Sequence, residues 1–262
     1  FEQLYLWAEE LISKDRAYVD SQDSETIASQ KGTPTKPGKE SPYRSRSKEE
    51  NLSLFSKMRA GKFEEGEHVL RAKINMSSPN MLLRDPVMYR IINKSHQRTL
   101  KKWCIYPMYD WAHGQSDFIE KISHSLCTLE FKPHRDLYEW FLYALGPNLE
   151  NAPKQREFAR LNLSHTITSK RKLKRLIDEG HVNGWDDPRM PTISGLRKRG
   201  YTPESLKKFV RTAGVAKREN IIELSLLEFC IREHLNKISP RIMAVLDPIK
   251  IIIENYPEGK EE

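Results

Sequence analysis

The chain of 262 residues is long enough to bury a substantial core, with 38% hydrophobic and 31% charged residues. It has no apolar run of membrane-spanning length and no signal-peptide pattern, and its three cysteines form neither a disulfide framework nor a zinc-ribbon pattern. A formal net charge of +8 favours a polyanionic partner, so we expect a cytoplasmic protein with no membrane contact and no bound structural metal.

The first hundred residues predict an α+β unit. The segment "FEQLYLWAEELISK" places Phe1, Leu4, Ala8 and Leu11 at helical spacing, with no N-cap residue before it. We therefore expect the chain to begin inside an element of a longer protein. A short strand at 17–19 is expected to follow this helix.

Capping residues and periodicity define the rest of this unit. Ser47 and Glu50 have the spacing of a capping box before a helix that Gly61 ends. In "VLRAKINM" apolar side chains alternate with more polar ones, which predicts a strand with one buried face. A pair of strands, Met81–Arg84 and Met88–Ile92, is expected next.

From Trp103 to Tyr109 the chain is almost continuously apolar, a pattern typical of a strand covered on both faces in a parallel sheet. Helix-like and strand-like segments then alternate in "SDFIEKISHSL", "CTLEF", "RDLYEWFLYALG" and "EFARLNL". Strand, helix, strand, helix, strand is the order of an α/β fold.

The stretch "RLNLSHTITSKRKLKRLIDEG" ends in a predicted helix with strong positive charge at its beginning. The helix is expected over Lys170–Glu179, with Ser169 as N-cap and Gly180 as the stop. Cations are disfavoured at a helix N-terminus unless an anion binds there, because the free amides already present positive charge. The pattern is therefore either a phosphate site or a solvated surface helix.

Neutral polar residues flank the predicted strands. Tyr109 and His113 follow the apolar strand, at the edge where parallel sheets form ligand crevices. Cys127 and Thr128 begin the next strand, and Gln155 precedes another. Such groups suit an uncharged amide, whereas a carboxylate would require Arg or Lys. The alternative for each residue is a structural role in the core.

Five segments of the chain resemble the glutaminyl-tRNA synthetases, a family of class I aminoacyl-tRNA synthetases. They are "SPYRSRSKEENLSLFSKMRAGKFEEG", "KWCIYPMYDWAHGQSDFIEKISHSLCTLEF", "REFARLNLSHTITSKRKL", "GWDDPRMPTISGLRKRGYTPESLKKF" and "AVLDPIKIIIENY". The resemblance implies an α/β fold, the second half of a Rossmann-like nucleotide-binding fold with additional domains around it. The implied parts are an α+β acceptor-stem domain at 1–100, the nucleotide-binding half at 101–159, the signature loop with a helical subdomain at 160–238, and the start of an anticodon-binding β-barrel at 239–262.

The resemblance implies that the cationic helix start binds ATP. "ITSKR" stands where the family has its K-M-S-K-S loop, whose second lysine, here Lys170, is the catalytic residue that meets the ATP phosphates. Thr168 replaces the family's usual methionine. ATP with Mg²⁺ would enter as a substrate, bordered by Thr128, Arg160, Leu161, Thr168, Ser169 and Lys170.

The resemblance also implies sites for L-glutamine and tRNA(Gln). Glutamine would lie among Tyr109, His113, Cys127 and Gln155. At the tip of the acceptor-stem domain, Pro34 matches a leucine with which the family can open the first base pair of the tRNA. Further tRNA contacts are implied for Phe131 beside the 3′ end and for Ala216, Lys217, Arg218, Glu219, Asn220, Ile221, Ile222 and Glu223.

The leading interpretation is ATP-dependent activation of glutamine and its transfer to the 3′ end of tRNA(Gln) by the full-length protein. A glutamyl-tRNA synthetase of the related type would present a basic residue to its substrate, whereas Cys127 and Gln155 are neutral. A third interpretation is a non-catalytic tRNA-binding fragment. Because the family's first signature, H-I-G-H, does not occur in the sequence, residues 1–262 alone are expected to be inactive.

Overall fold

The structure, a computed structural model, describes residues 1–146, 152–255 and 257–259. The chain divides into two compact units, Phe1–Arg160 with Ala216–Glu219 and Leu161–Val215 with Asn220–Glu262. These units are coarser than the four expected parts, whose bounds stay a prediction.

A four-stranded antiparallel sheet organises the first unit. Its strands, in chain order and in spatial order, are β1 (Ala17–Asp20), β2 (Val69–Ala72), β3 (Val87–Ile91) and β4 (Ile105–Pro107). The position of β1 confirms the strand expected there.

The apolar run from Trp103 to Tyr109 was wrongly expected to lie in a parallel sheet. β4 pairs antiparallel to β3, with Ile105 opposite Ile91. Trp103 and Ile105 are buried in the core, which accounts for their apolar character in either sheet type. Burial selects apolar side chains, but the direction of the neighbouring strand is decided by the tertiary fold.

The described helices of the first unit are α1 (Glu2–Ser13), α2 (Ser24–Gln30), α3 (Lys48–Arg59), α4 (Tyr109–Ile119) and α5 (Arg135–Leu145). The opening helix is confirmed by α1. Half of the expected capping box is present at α3, where the Glu50 amide donates to the Ser47 hydroxyl at 3.1 Å. The Glu50 carboxylate instead pairs with Arg46, at 3.0 Å.

The strand expected at Met81–Arg84 is a single turn of 3₁₀ helix over Met81–Leu83. The Leu82 amide donates to the Asn80 side chain at 3.1 Å. Asparagine favours such a turn because its side chain satisfies a backbone amide two residues further on. The sequence pattern of apolar residues did not reveal this local competition.

Aromatic and aliphatic side chains of α1, α3 and the sheet form the main core. Tyr5 stacks on Phe55 with ring centroids 4.8 Å apart. The Arg59 guanidinium covers the outer side of this stack, 4.4 Å from the Tyr5 ring centroid. The core thereby fixes α1 and α3 on the sheet.

A buried ion pair lies on the polar side of β2. The strand was expected to bury one face only, but Arg71 is completely buried together with Asp20. The Arg71 guanidinium donates to the Asp20 carboxylate and to the Asp85 carbonyl oxygen, each at 2.7 Å. Both faces of β2 are therefore covered, because a charged side chain with full hydrogen bonding can replace an apolar one.

Asp85 extends this ion pair into the Asp85 cluster, formed by Tyr18, Asp20, Arg44, Arg71 and Asp85. The Asp85 carboxylate is buried and accepts hydrogen bonds from Arg44 Nε at 2.7 Å and from the Tyr18 hydroxyl at 3.2 Å. Its second oxygen accepts from the Ile74 amide at 2.7 Å. One carboxylate therefore connects the segment before α3 to the turns that flank β2.

A parallel strand pair completes the first unit. β5 (His124–Thr128) and β6 (Lys154–Phe158) run in the same direction, and α5 lies between them in the sequence. The expected strand–helix–strand order is confirmed. β5 ends earlier than "CTLEF" predicts, because the next residues, Leu129–His134, turn into a 3₁₀ helix.

Helices predominate in the second unit. Its described elements are β7 (Asn162–Leu163), α6 (Lys170–Asp178), α7 (Ile193–Lys198), α8 (Pro203–Ala213), β8 (Ile221–Ile222) and α9 (Leu224–Ile238). β7 and β8 pair in parallel. None of the helices that the structure describes is long and apolar enough to cross a membrane.

The segment expected to begin a β-barrel contains no helix or strand among its described residues, 239–255 and 257–259. Its β-branched side chains are exposed, for example Ile249 and Ile251. A strand requires a hydrogen-bonded partner, and none of the described residues provides one here. The barrel assignment stays a prediction, and residues 256 and 260–262 of this segment lie outside the described residues.

We expect Asp85→Asn to lower the free energy of unfolding by roughly 3 kcal/mol, because the Arg44 guanidinium loses its buried charged acceptor. Asparagine keeps the shape and tolerates the positive φ of 40° at this position. Glu10→Ala is the control, since its exposed pair with Lys14 should contribute less than about 1 kcal/mol. Equilibrium urea unfolding measures both, and equal losses would contradict a special role for the cluster.

Candidate active site

Three aromatic rings lie together at the start of α4. The Tyr109 ring centroid is 5.0 Å from that of His113 and 4.9 Å from that of Phe131. Burial raises the pKa of Tyr109, and the neighbouring Cys127 acts in the same direction. Tyr109 is half-exposed, and its hydroxyl stays protonated and can donate a hydrogen bond to a ligand.

The parallel strands bring Cys127 and Gln155 to one surface. The register places Ser125 opposite Gln155 and Cys127 opposite Glu157, so these four side chains share a face of the pair. The Gln155 amide donates to the Phe131 carbonyl oxygen at 2.9 Å. Burial raises the pKa of the Cys127 thiol, which keeps it neutral. We refer to Tyr109, His113, Cys127, Phe131 and Gln155 as the neutral wall.

One carboxylate beside the neutral wall is held by neutral or titratable partners. His113 Nε2 lies 3.2 Å from Asp117 Oδ2, and the Ser125 hydroxyl donates to the same carboxylate. The Ser125 hydroxyl also bonds the Tyr138 hydroxyl, at 2.7 Å. The contact of Nε2 with Asp117 orients the His113 ring, which packs among the aromatic rings described above.

A second carboxylate, Glu157, engages the nearby cation. Arg135 Nε donates to Glu157 Oε1 at 3.0 Å, and a terminal guanidinium nitrogen pairs with the other oxygen. Burial alone would raise the pKa of Glu157, but the hydrogen bonds from Arg135 and Gln155 outweigh it and lower the pKa. Arg135 is therefore already paired with Glu157. The charges beside the neutral wall compensate each other.

Four of these residues were not expected from the sequence: Asp117, Ser125, Arg135 and Glu157. Two spacings could have revealed some of them. His113 and Asp117 are four residues apart on one helix, and Gln155 and Glu157 are two apart on one strand. Arg135 has no such signal, because its contact with Glu157 crosses from α5 to β6.

Two residues expected to border ATP, Thr128 and Arg160, meet at Glu130. The Thr128 hydroxyl donates to Glu130 Oε2 at 2.7 Å, and Arg160 pairs with the other carboxylate oxygen. The Arg160–Glu130 pair is exposed. The remaining expected ATP residues, Leu161, Thr168, Ser169 and Lys170, belong to the second unit.

In the second unit, α6 begins with three exposed cations. Among the described residues, Lys170, Arg171 and Lys172 form no ion pair, whereas Lys174 pairs with Asp178 at 2.6 Å within the same helix. Ser169 is the N-cap residue, but its side chain accepts no hydrogen bond from the first-turn amides. Free amides and unpaired cations at the same helix end provide a positive field for an anion.

One of the expected tRNA contacts, Pro34, lies on an exposed backbone turn. Thr33 and Lys36 exchange two backbone hydrogen bonds of 3.1 Å, which leaves Pro34 and Thr35 at the tip of a tight hairpin. Both tip residues are exposed. This arrangement agrees with a contact surface and leaves the role of Pro34 a prediction.

The segment from Ala216 to Glu223 is divided between the two units after Glu219. The exposed residues Lys217 and Arg218 lie in its first half. Its second half has local structural contacts: Ile221 and Ile222 form β8, and Glu223 accepts a hydrogen bond from the Ser164 hydroxyl at 2.8 Å. Phosphate contacts are therefore best sought at the two basic residues.

Comparison with known proteins identifies the family of the chain. The family model of class I tRNA synthetases (E and Q), catalytic domain, matches residues 1–237. Glutamine–tRNA ligases of Pseudomonas aeruginosa and Bradyrhizobium diazoefficiens are 56% and 57% identical over the whole chain, which covers 47% of each. That of Rhodopirellula baltica is 58% identical, with 43% of it covered. The chain thus spans about half the length of the curated relatives it matches.

Solved structures show the same fold at lower sequence identity. A glutamate tRNA ligase from Elizabethkingia meningosepticum, crystallised with its amino acid, superposes on 90% of this chain and 53% of its own, with a TM-score of 0.57 and 17% identity. A glutamate-tRNA synthetase from Elizabethkingia anophelis gives the same TM-score.

We expect Glu157→Gln to lower the free energy of unfolding at neutral pH by about 2 kcal/mol, because Arg135 loses a charged acceptor. The folded pKa of Glu157 is depressed, so its stabilisation is full above the unfolded pKa of about 4.3 and is lost as the pH falls through the folded pKa. The difference between wild type and variant should therefore shrink on acidification. Urea unfolding at about pH 7 and pH 3 tests this, with exposed Glu139→Gln as the control. A pH-independent difference would contradict it.

Proposed function

Since the chain belongs to the class I tRNA synthetases of the E and Q type, through their catalytic domain, we propose that it selects glutamine for attachment to tRNA(Gln). The complete protein that contains residues 1–262 is then a glutamine–tRNA ligase. Charging of tRNA serves protein synthesis, so we infer a cytoplasmic enzyme.

The neutral wall is the observation that carries this proposal. The Tyr109 hydroxyl and the Cys127 thiol can donate to an amide oxygen without net charge. Gln155 Nε2 already donates to the Phe131 carbonyl oxygen and to Glu157, so Gln155 offers its side-chain oxygen as an acceptor. The substrate's side-chain amide needs both kinds of partner, because its oxygen accepts and its nitrogen donates. A glutamate carboxylate would lose hydration next to Asp117 and Glu157 without gaining a cation.

The rival assignment, a glutamyl-tRNA synthetase, requires a basic group that reads a carboxylate. The nearby guanidinium belongs to Arg135, which is paired with Glu157. The structural likeness to glutamate tRNA ligases is a likeness of fold, at 17% identity. Releasing Arg135 to a substrate would leave a buried carboxylate unpaired, which is costly.

The proposed reaction has two steps. A carboxylate oxygen of glutamine attacks the α-phosphorus of ATP, the bond to the β-phosphate breaks, and pyrophosphate leaves. A terminal ribose hydroxyl of tRNA then attacks the acyl carbon, and AMP leaves with the bonding electrons. Negative charge develops on the phosphates in the first step and must be stabilised by cations and dipoles in fixed positions.

We assign that stabilisation to Lys170. Its helix start combines unpaired cations with free amides, so its field acts on phosphate oxygens instead of on an internal carboxylate. ATP would bring Mg²⁺ with it as part of the substrate, and the metal would be held chiefly by phosphate oxygens. Thr128 and Arg160 are proposed to border ATP, as are Leu161, Thr168 and Ser169.

The proposed macromolecular partner is tRNA. The hairpin tip with Pro34, the ring of Phe131 and the basic residues Lys217 and Arg218 are the proposed contacts. Aromatic rings stack on unpaired bases, and exposed cations contact phosphates. A purely RNA-binding protein would share these surfaces but would not form an ester between glutamine and tRNA, so charging assays separate the two functions.

We expect the complete protein to charge tRNA with glutamine and to prefer it over glutamate by about 10²-fold or more in kcat/KM, because the neutral wall leaves a carboxylate unpaired. Aminoacylation with radiolabelled glutamine and glutamate, at matched tRNA and ATP, measures this ratio. Equal efficiency with glutamate would contradict the assignment.

We expect Lys170→Ala to reduce the rate of glutamine activation by roughly 10²-fold, because Lys170 acts on charge that develops in the transition state. The KM for glutamine and the thermal midpoint should change little, since Lys170 is exposed. Pyrophosphate exchange with tRNA present measures the effect. Lys174→Ala, on the same helix but paired with Asp178, is the control and should stay near wild type. Equal rates in the two variants would contradict a phosphate-binding role for Lys170 and favour the alternative interpretation, in which α6 is a solvated surface helix.

A further inference from the structure

Arg84 is a buried arginine whose partners are backbone oxygens. Only 1% of its surface is exposed. Its Nε donates to the Ser78 carbonyl oxygen at 2.7 Å. Its Nη1 contacts the carbonyl oxygens of Lys31, Thr33 and Lys36 at 2.6, 2.9 and 2.9 Å. Among the described residues, no carboxylate pairs with this guanidinium. Its hydrogen bonds therefore stabilise the backbone conformation of a loop.

The contacted loop is the hairpin that carries Pro34. Three of the four carbonyl groups belong to residues 31–36, and the fourth belongs to Ser78. Gly32 has a φ of +71°, and a Cβ there would lie 2.6 Å from the Lys36 and Pro37 carbonyl oxygens. The hairpin is therefore folded tightly around the Arg84 guanidinium.

Arg84 holds the hairpin by its backbone and leaves its side chains outside. Residues 33–37 are exposed, although the carbonyl groups beneath them are bound. An isolated tip of this length would lose conformational entropy on meeting a partner, and a tip that is already ordered avoids that loss. The arrangement is suited to a rigid contact with a large partner.

The base of the same hairpin lies near the neutral wall. Burial lowers the pKa of Lys31, with Arg71 adding to the effect, and the charge of Asp110 opposes it. Asp110 pairs with His134 at 2.7 Å, and the His134 ring lies 5.1 Å from that of Phe131. Asp110 and His134 thus connect the surroundings of Lys31 to those of Phe131 through charge and ring contacts.

We infer that Arg84 is a positioning residue that presents the Pro34–Thr35 tip to the acceptor end of tRNA. The inference rests on the proposed function for the identity of the partner. The four backbone contacts require a planar, forked cation, which lysine cannot replace because its ammonium is a single point donor.

The test is Arg84→Lys in the complete protein, with Arg90→Lys, an exposed arginine on β3, as the matched control. The KM for tRNA should rise about tenfold or more, because displacement of a positioning element by about 1 Å has effects of this order. The KM values for glutamine and ATP, at saturating tRNA, should stay within about twofold. Hydrogen exchange of the Thr33 and Lys36 amides should accelerate in Arg84→Lys and not in Arg90→Lys.

Gly32→Ala is the second variant, for the case that Arg84→Lys fails to fold. It strains the hairpin without touching the core and should raise the KM for tRNA in the same way. An unchanged KM for tRNA despite faster exchange, or an equal rise in the KM values for all three substrates, would overturn the positioning role. Failure of the proposed function would appear separately, as wild-type protein that charges no tRNA with glutamine, while the exchange measurement still reports on the hairpin.

Discussion

The buried carboxylate of Asp85 is the interaction on which the first unit depends. The carboxylate accepts hydrogen bonds from Arg44, Tyr18 and the Ile74 amide. The main-chain carbonyl oxygen of the same residue accepts a hydrogen bond from Arg71. Burying a charge costs several kcal/mol, so this carboxylate is stable only when all of these donors are in place. The segment before α3, the β2 strand and the turn before β3 must therefore adopt their positions together.

The neighbouring residue, Arg84, applies the same principle to the adjacent hairpin. The Asp85 carboxylate accepts hydrogen bonds from surrounding donors, and the Arg84 guanidinium donates hydrogen bonds to surrounding carbonyl groups. Two consecutive charged residues therefore stabilise the same turn through different contacts. Asp85 has a positive φ of 40°, and the side chains of Asp85 and Arg84 have different partners. The cost of this backbone strain is offset by the contacts that both charges make.

The proposed preference of the neutral wall for an uncharged substrate depends on compensated charge. Asp117 is bound by His113 and Ser125, and Glu157 is bound by Arg135 and Gln155. Each carboxylate contacts a proposed glutamine-binding side chain. Each is also paired with a group that could otherwise bind a charged substrate, His113 for Asp117 and Arg135 for Glu157. At α6 the reverse holds, because Lys170 has no ion-pair partner in the described part of the chain. The proposed glutamine site and the proposed phosphate site therefore differ in their electrostatics: charges are compensated at the first and unpaired at the second.

The sequence by itself determined α1 through its helical periodicity, α3 through its N-cap, and the parallel strand–helix–strand order around α5. It also supplied the proposed glutamine-binding residues, Tyr109, His113, Cys127 and Gln155. These depend on local spacing or on resemblance to a family, both of which are written in the chain. The antiparallel pairing of β4, the burial of Arg71 and the backbone contacts of Arg84 were decided only by the tertiary structure. A charged residue in an alternating pattern predicts an exposed face, and only the three-dimensional arrangement supplies the distant carboxylates and carbonyl groups that make its burial favourable.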